Sequence, residues 1–105
     1  MTGGADPSFA GRAQSWSASA PHQRAAGTLG RFLPDGLLLL GPTATEPIVM
    51  TGPAADVWGL VDTPISFEQV VSTLARRYDV APPLVAADLE PVWDRLVTLA
   101  AVERP

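Results

Sequence analysis

Four consecutive leucines, Leu37–Leu40, constrain the fold of this chain more than any other feature. The preceding residues Pro34–Asp35–Gly36 favour a tight turn, so the pattern predicts a β-hairpin whose first strand is Leu29–Leu33. No apolar run in the chain is longer than four residues, and no segment is expected to span a membrane. Hydrophobic residues still make up 47% of the 105 residues, a composition typical of one small folded domain.

One further strand and three helices follow in the pattern. Pro47–Met50 predicts a short third strand, and Pro47 suits the start of an edge strand because it has no N–H to donate. A first helix is predicted with Thr51 as its N-cap. Its apolar face carries Ala54, Val57, Trp58 and Val61.

The second helix is predicted to begin at Ser66, because Gln69 stands three residues further on, the spacing of a capping box. Its apolar face carries Phe67, Val70, Val71, Leu74 and Tyr78. The third helix follows a linker, Asp79–Pro83, and is expected to be kinked but continuous through Pro91. Its apolar face carries Val85, Leu89, Val92, Leu96 and Leu99.

These elements predict an α+β fold of the winged helix-turn-helix type: a three-stranded antiparallel sheet followed by a three-helix bundle, in the order β-β-β-α-α-α. Residues 1–26 are rich in Gly, Ala and Ser and lack periodicity, so they are expected to form a flexible N-terminal tail before a domain of residues 27–105. Phe9 and Trp16 are interpreted as stray aromatic residues of that tail.

Composition excludes most catalytic and metal chemistry. The chain has no Cys, and its single histidine, His22, falls in the predicted tail. Thiol nucleophiles, disulfides, thiolate zinc sites and histidine triads are therefore excluded. We expect no enzymatic activity, no catalytic residue, no bound metal and no cofactor. The absence of Cys and of a signal-peptide pattern favours a cytoplasmic protein.

Charge argues against nucleic acid as the partner. The chain has 7 Arg and 11 acidic residues. The predicted tail has a small positive net charge, so the excess of acidic residues belongs to the predicted domain. In the third helix, Arg95 is outnumbered by Asp88, Glu90 and Asp94. Because a recognition helix of net negative charge is repelled by phosphates, the DNA-binding use of a winged helix is disfavoured.

Three segments together resemble the PqqD family. They are the Leu37–Leu40 run followed by Pro47–Trp58, which ends in an aliphatic–Trp pair, then Ser66–Val80, which ends in L-x-x-x-Y-x-V, and Val85–Val102. The resemblance implies a recognition element for ribosomally synthesised and post-translationally modified peptides (RiPPs). Such a domain binds the leader of a precursor peptide and presents the peptide to a modifying enzyme such as a radical SAM enzyme, a protease or a cyclase.

The resemblance also implies a site. The leader would add a strand to the third strand, beside the third helix. The residues implied are Ile48, Val49, Met50, Asp88, Leu89, Val92, Arg95 and Leu96. Strand alternation makes Val49 the best contact and favours the core for its two neighbours. The leucines at 89 and 96 also fit a core stripe. Asp88 and Arg95 would pair with basic and acidic leader residues, or form a solvated surface.

A different class of function stays open at this point. Leu37–Leu40 does not alternate, so both faces of its strand are expected to be covered. The cover could be the N-terminal tail, a partner enzyme or a second copy of the chain as a homodimer, or two leucines could stay exposed. The alternative is thus a regulatory module that binds a folded partner through this face.

Overall fold

The computed structural model describes residues 16–105. Among these residues it contains six strands and three helices. The strands are β1 (Pro21–Arg24), β2 (Leu29–Leu33), β3 (Gly36–Leu40), β4 (Ile48–Thr51), β5 (Ile65–Ser66) and β6 (Val102–Glu103). The helices are α1 (Ala54–Leu60), α2 (Phe67–Tyr78) and α3 (Pro82–Thr98).

The strands β2, β3 and β4 form an antiparallel sheet in that order, which confirms the predicted hairpin. Its turn consists of Pro34 and Asp35, since Leu33 pairs directly with Gly36. The strand β4 begins at Ile48, one residue later than predicted, and lies at the edge of this sheet. Leu37 and Leu39 face the helices and are fully buried.

The helix α1 packs its apolar face against this sheet, as its spacing predicts. Thr51 is not its N-cap, because β4 continues through Thr51 and the helix is preceded by Pro53 without a side-chain cap. The indole of Trp58 lies against Gly30 of β2, where a β-carbon would be only 2.6 Å from the Cε2 atom of Trp58. Gly30 therefore allows the close contact between helix and sheet.

The helix α2 has the predicted capping box: the backbone N–H of Gln69 donates to Oγ of Ser66, and the N–H of Ser66 donates to Oε1 of Gln69. Tyr78 is exposed rather than part of the apolar face, and its hydroxyl donates to Asp56. The helix α3 is continuous through Pro91, as predicted, but it begins within the expected linker, because Pro82 occupies its first position.

The predicted β-β-β-α-α-α order is incomplete. A second antiparallel sheet, in the order β5-β1-β6, joins the segment before the hairpin to the segment after α3. The expectation of a flexible tail through residue 26 is therefore wrong for residues 16–26, which contain β1. The rest of that predicted tail, with Phe9, lies outside the described residues.

Four aromatic rings explain why this segment is ordered. Trp16 packs 5.0 Å from Phe67 and 6.3 Å from Trp93, measured between ring centroids. The ring of His22, which is also buried, meets Trp93 edge-on at 5.5 Å. Burying these rings offsets the entropy of ordering a chain segment that is otherwise rich in small residues. In residues 16–105, no helix is long and apolar enough to cross a membrane.

Candidate functional site

The free edge of β4 exposes backbone groups that are ready to pair. A β-carbon on Gly36 would lie 2.5 Å from the carbonyl oxygen of Met50, so this carbonyl points toward β3. Met50 is paired with Leu37. In an antiparallel ladder, hydrogen-bonded pairs alternate with pairs that point their N–H and C=O groups outward. The backbone of Val49 and of Thr51 therefore points away from β3.

A groove lies beside this edge and separates it from α3. Its volume is about 240 Å³. We call it the edge groove; it is lined by Val49, Met50, Thr51, Pro91, Val92 and Arg95. One wall is a strand with unpaired backbone groups, and the other is a helix face with apolar side chains and one guanidinium group.

The strand residues occupy the places that alternation predicts. Val49 points outward and is 58% exposed, whereas Met50 is buried and Ile48 is partly buried against the core. Met50 still lines the edge groove. The alternation expected for these three residues is therefore observed, and the role of Val49 as a peptide contact stays a prediction.

The helix residues divide into two groups. Val92 and Arg95 line the edge groove, and Asp88 is exposed one turn before Val92. Leu89 and Leu96 are only 1% and 0% exposed and belong to the core. A peptide at the surface cannot contact these two leucines, so their predicted contact role is not retained.

Two residues of the edge groove were missed by sequence reasoning. The sequence pattern assigns Thr51 to a helix cap, although its place two residues after Val49 in an alternating strand could have identified it. The same pattern treats Pro91 as an interruption of the helix, yet Pro91 forms part of the groove wall. Pro91 is exposed on α3, and a sequence pattern does not show this exposure.

A second groove, of about 400 Å³, lies on the face of the hairpin sheet that points away from the helices. We call this the outer sheet face; it is lined by Leu29, Gly30, Arg31, Leu38, Leu40 and Pro47. Leu38 and Leu40 are only partly buried, and Leu29 is 65% exposed. Within residues 16–105, nothing covers this apolar surface completely.

The described part of the chain has no cluster of three or more His, Cys, Asp or Glu residues that could hold a metal ion. Tyr78, at the C-terminal end of α2, has a raised pKa. The hydrogen bond to the Asp56 carboxylate, and then its negative charge, raise the pKa of Tyr78 above 10.0. This residue does not line the edge groove.

Comparison with known proteins identifies the family. The model of the family described as coenzyme PQQ synthesis protein D (PqqD) matches residues 36–100. Because this match covers more than half of the chain, the protein belongs to the PqqD family. A search of curated proteins found no significant match.

Two solved structures are similar to this chain. The first is the solution NMR structure of the PqqD part of Methylobacterium extorquens PqqCD, described as a functional, stand-alone RiPP recognition element. It is 26% identical, with a TM-score of 0.69 over 87% of this chain and 97% of that one. The second is TbiB1 in complex with the TbiA(beta) leader peptide. It has 18% identity and a TM-score of 0.65, and the alignment covers 77% of this chain and 94% of TbiB1, so it supports the fold alone.

Proposed function

We propose that this protein is a RiPP recognition element that binds the leader segment of a ribosomally made precursor peptide as an extra strand on β4. The observation that carries the proposal is the outward-pointing backbone of Val49 and Thr51 beside the edge groove. The family membership and the similarity to the PqqD recognition element support the same role.

Strand addition suits a ligand that is disordered before it binds. Backbone hydrogen bonds supply affinity for peptides of many sequences, and adjacent side-chain pockets select among them. In this protein the backbone ladder would come from Val49 and Thr51. Val92 and Pro91 would take up an apolar side chain of the leader, and Arg95 would face its polar groups.

The protein would act as an adaptor without chemistry of its own. It would deliver the bound precursor to a modifying enzyme, such as a radical SAM enzyme, a protease or a cyclase, in the cytoplasm where the precursor is made. The winged helix-turn-helix description would then apply to the architecture and not to DNA binding. The acidic balance of α3 supports this choice, because Asp88, Glu90 and Asp94 outnumber Arg95.

The test is a titration with a fluorescently labelled synthetic leader, taken from any short precursor peptide that is found encoded beside this gene. Val49→Pro removes an outward-facing N–H from β4 and should abolish binding. Phe32→Pro is the matched control. Leu38 pairs with Arg31, so Phe32 points its N–H away from β3 at the opposite edge of the same sheet.

The expected result is loss of binding in Val49→Pro and unchanged binding in Phe32→Pro, with both variants folded by circular dichroism. Unchanged binding by a folded Val49→Pro variant would contradict strand addition at β4. Absence of binding by the wild-type protein to any neighbouring precursor would contradict the leader-binding function.

The outer sheet face supports a second candidate function, the binding of a folded partner or of a second copy in a homodimer. Its apolar groove is larger than the edge groove, and Leu29 is widely exposed there. Leu29→Glu should disrupt such an association, measured by sedimentation or by copurification with the modifying enzyme. The same variant should leave the leader titration unchanged, since Leu29 does not line the edge groove.

A further inference from the structure

The charged side chains of α3 are used in two different ways. Asp94 accepts a hydrogen bond from Nε1 of Trp16 at 3.2 Å, and Glu90 also has an interaction partner. Asp88 and Arg95 have no side-chain hydrogen bond or ion pair within residues 16–105. Asp94 and Glu90 therefore already interact within the protein, whereas Asp88 and Arg95 are available to interact with a ligand.

The two available charges lie on the same face of α3. Asp88, Val92 and Arg95 are spaced i, i+4 and i+7, which places them in one row along a helix. At 1.5 Å per residue, Asp88 and Arg95 are separated by about 10.5 Å along the helix axis. This distance is too long for a salt bridge between them, and it leaves apolar Val92 in the middle.

We propose that Asp88 and Arg95 read the order of charges along the leader. The inference rests on the proposed function, because it assumes a peptide strand between β4 and α3. A leader with an acidic residue near Arg95 and a basic residue near Asp88 would be favoured, and the reverse order would meet two like charges. The row would thereby fix the direction and the register of the bound strand.

Strand geometry gives the spacing of the two leader charges. An extended strand rises about 3.3 Å per residue, so 10.5 Å corresponds to about three residues. Because side chains alternate in direction, charges that both face α3 would stand roughly two or four positions apart. At the spacing of four, the residue midway between them also faces α3, and an apolar side chain there would meet Val92.

Arg95 also has a structural role that the test must separate. It lies in the last turn of α3, where a positive charge stabilises the helix dipole. Loss of affinity in an Arg95 variant could therefore reflect a weakened helix. The preferred order of charges in the ligand is a better measurement, since a change in helix stability alone does not reverse it.

The experiment selects binders from a display library of random 16-residue peptides on four forms of the full chain. They are the wild type, Val49→Pro, the exchanged double variant Asp88→Arg/Arg95→Asp, and the control Glu103→Arg/Arg104→Glu. Both double variants preserve the net charge of −4. Glu103 and Arg104 are exposed and line neither the edge groove nor the outer sheet face.

The informative peptides are those that bind the wild type but not Val49→Pro. Among these, the wild type and the control should enrich one order of acidic and basic residues. The exchanged variant should enrich the opposite order. For a pair of peptides with opposite orders, we expect about a tenfold difference in Kd that decreases as salt is added.

Peptides that need Val49 but have no charge order, or an order that the exchanged variant does not reverse, would overturn this inference and leave the proposed function intact. If no selected peptide depends on Val49, strand addition fails and the charge inference fails with it.

Discussion

The indole Nε1 of Trp16 donates a hydrogen bond to Oδ1 of Asp94 over 3.2 Å, joining residues that are 78 positions apart in the sequence. The same indole packs on Phe67 and Trp93. The segment before β1 thus packs against the buried face of α3, in the same core as Leu89 and Leu96. This contact makes the N-terminal segment part of the folded domain.

Replacing Trp16 should therefore reduce stability strongly. Trp16→Ala removes a large buried ring and should lower the free energy of unfolding by about 3–5 kcal/mol. Trp16→Phe keeps an aromatic ring but loses the hydrogen bond to Asp94, so it should lower the free energy of unfolding by less than Trp16→Ala does. The lost hydrogen bond accounts for about 1 kcal/mol of that decrease. Urea denaturation measures both values. A Trp16→Ala variant as stable as the wild type would show that this segment does not support the domain.

Gly30→Ala tests the contact between α1 and the hairpin sheet. The added methyl group would lie 2.6 Å from Cε2 and 2.9 Å from Cζ2 of Trp58, so one of the elements must move. We expect a loss of about 1–3 kcal/mol in the free energy of unfolding.

The control for this change is Gly59→Ala, in the neighbouring helix. A β-carbon there meets no atom within 4 Å, and alanine is the better helix former. This variant should be neutral or more stable by up to about 1 kcal/mol. Equal effects of the two substitutions would contradict the role of close packing at Gly30.

Local sequence signals predicted much of this fold. Ser66 and Gln69 form a capping box with atoms only three residues apart, and Pro34–Asp35 forms the hairpin turn from its own backbone preferences. These interactions need no distant partner, so composition and spacing are sufficient to find them.

The missed features depend on residues that are distant in the sequence. Trp16 is ordered by Phe67 and Trp93, and β1 pairs with strands that follow it by more than 40 residues. Trp16 and His22 stand among small and polar residues in the sequence, so no local pattern indicates that either residue belongs to the core. The edge groove was predicted only in part for the same reason. The exposure of Val49 follows from the alternation of a strand, whereas the place of Pro91 in the groove depends on where α3 lies relative to β4.

Tyr78 should ionise above the ordinary range because its hydroxyl donates to the Asp56 carboxylate over 2.9 Å. Its raised pKa means that this contact contributes stability below about pH 10 and loses it as pH rises through the folded-state pKa. Asp56→Asn should lower the pKa of Tyr78 toward 10.0. The guanidinium group of Arg77 lowers the pKa of Tyr78, so Arg77→Gln should raise it further.

Near-ultraviolet absorbance of tyrosinate measures this titration without ambiguity, since Tyr78 is the only tyrosine in the sequence. An unchanged midpoint in Asp56→Asn would show that the hydrogen bond between α1 and α2 does not form in solution.

Strand addition at β4 is tested most directly by amide hydrogen exchange, measured by NMR with and without the synthetic leader. Binding should slow exchange at the outward-facing amides of Val49 and Thr51, because they become ladder donors. The amides of Gly30 and Phe32, at the free edge of β2, should exchange as before. Slower exchange at Gly30 and Phe32, with Val49 and Thr51 unchanged, would contradict the account.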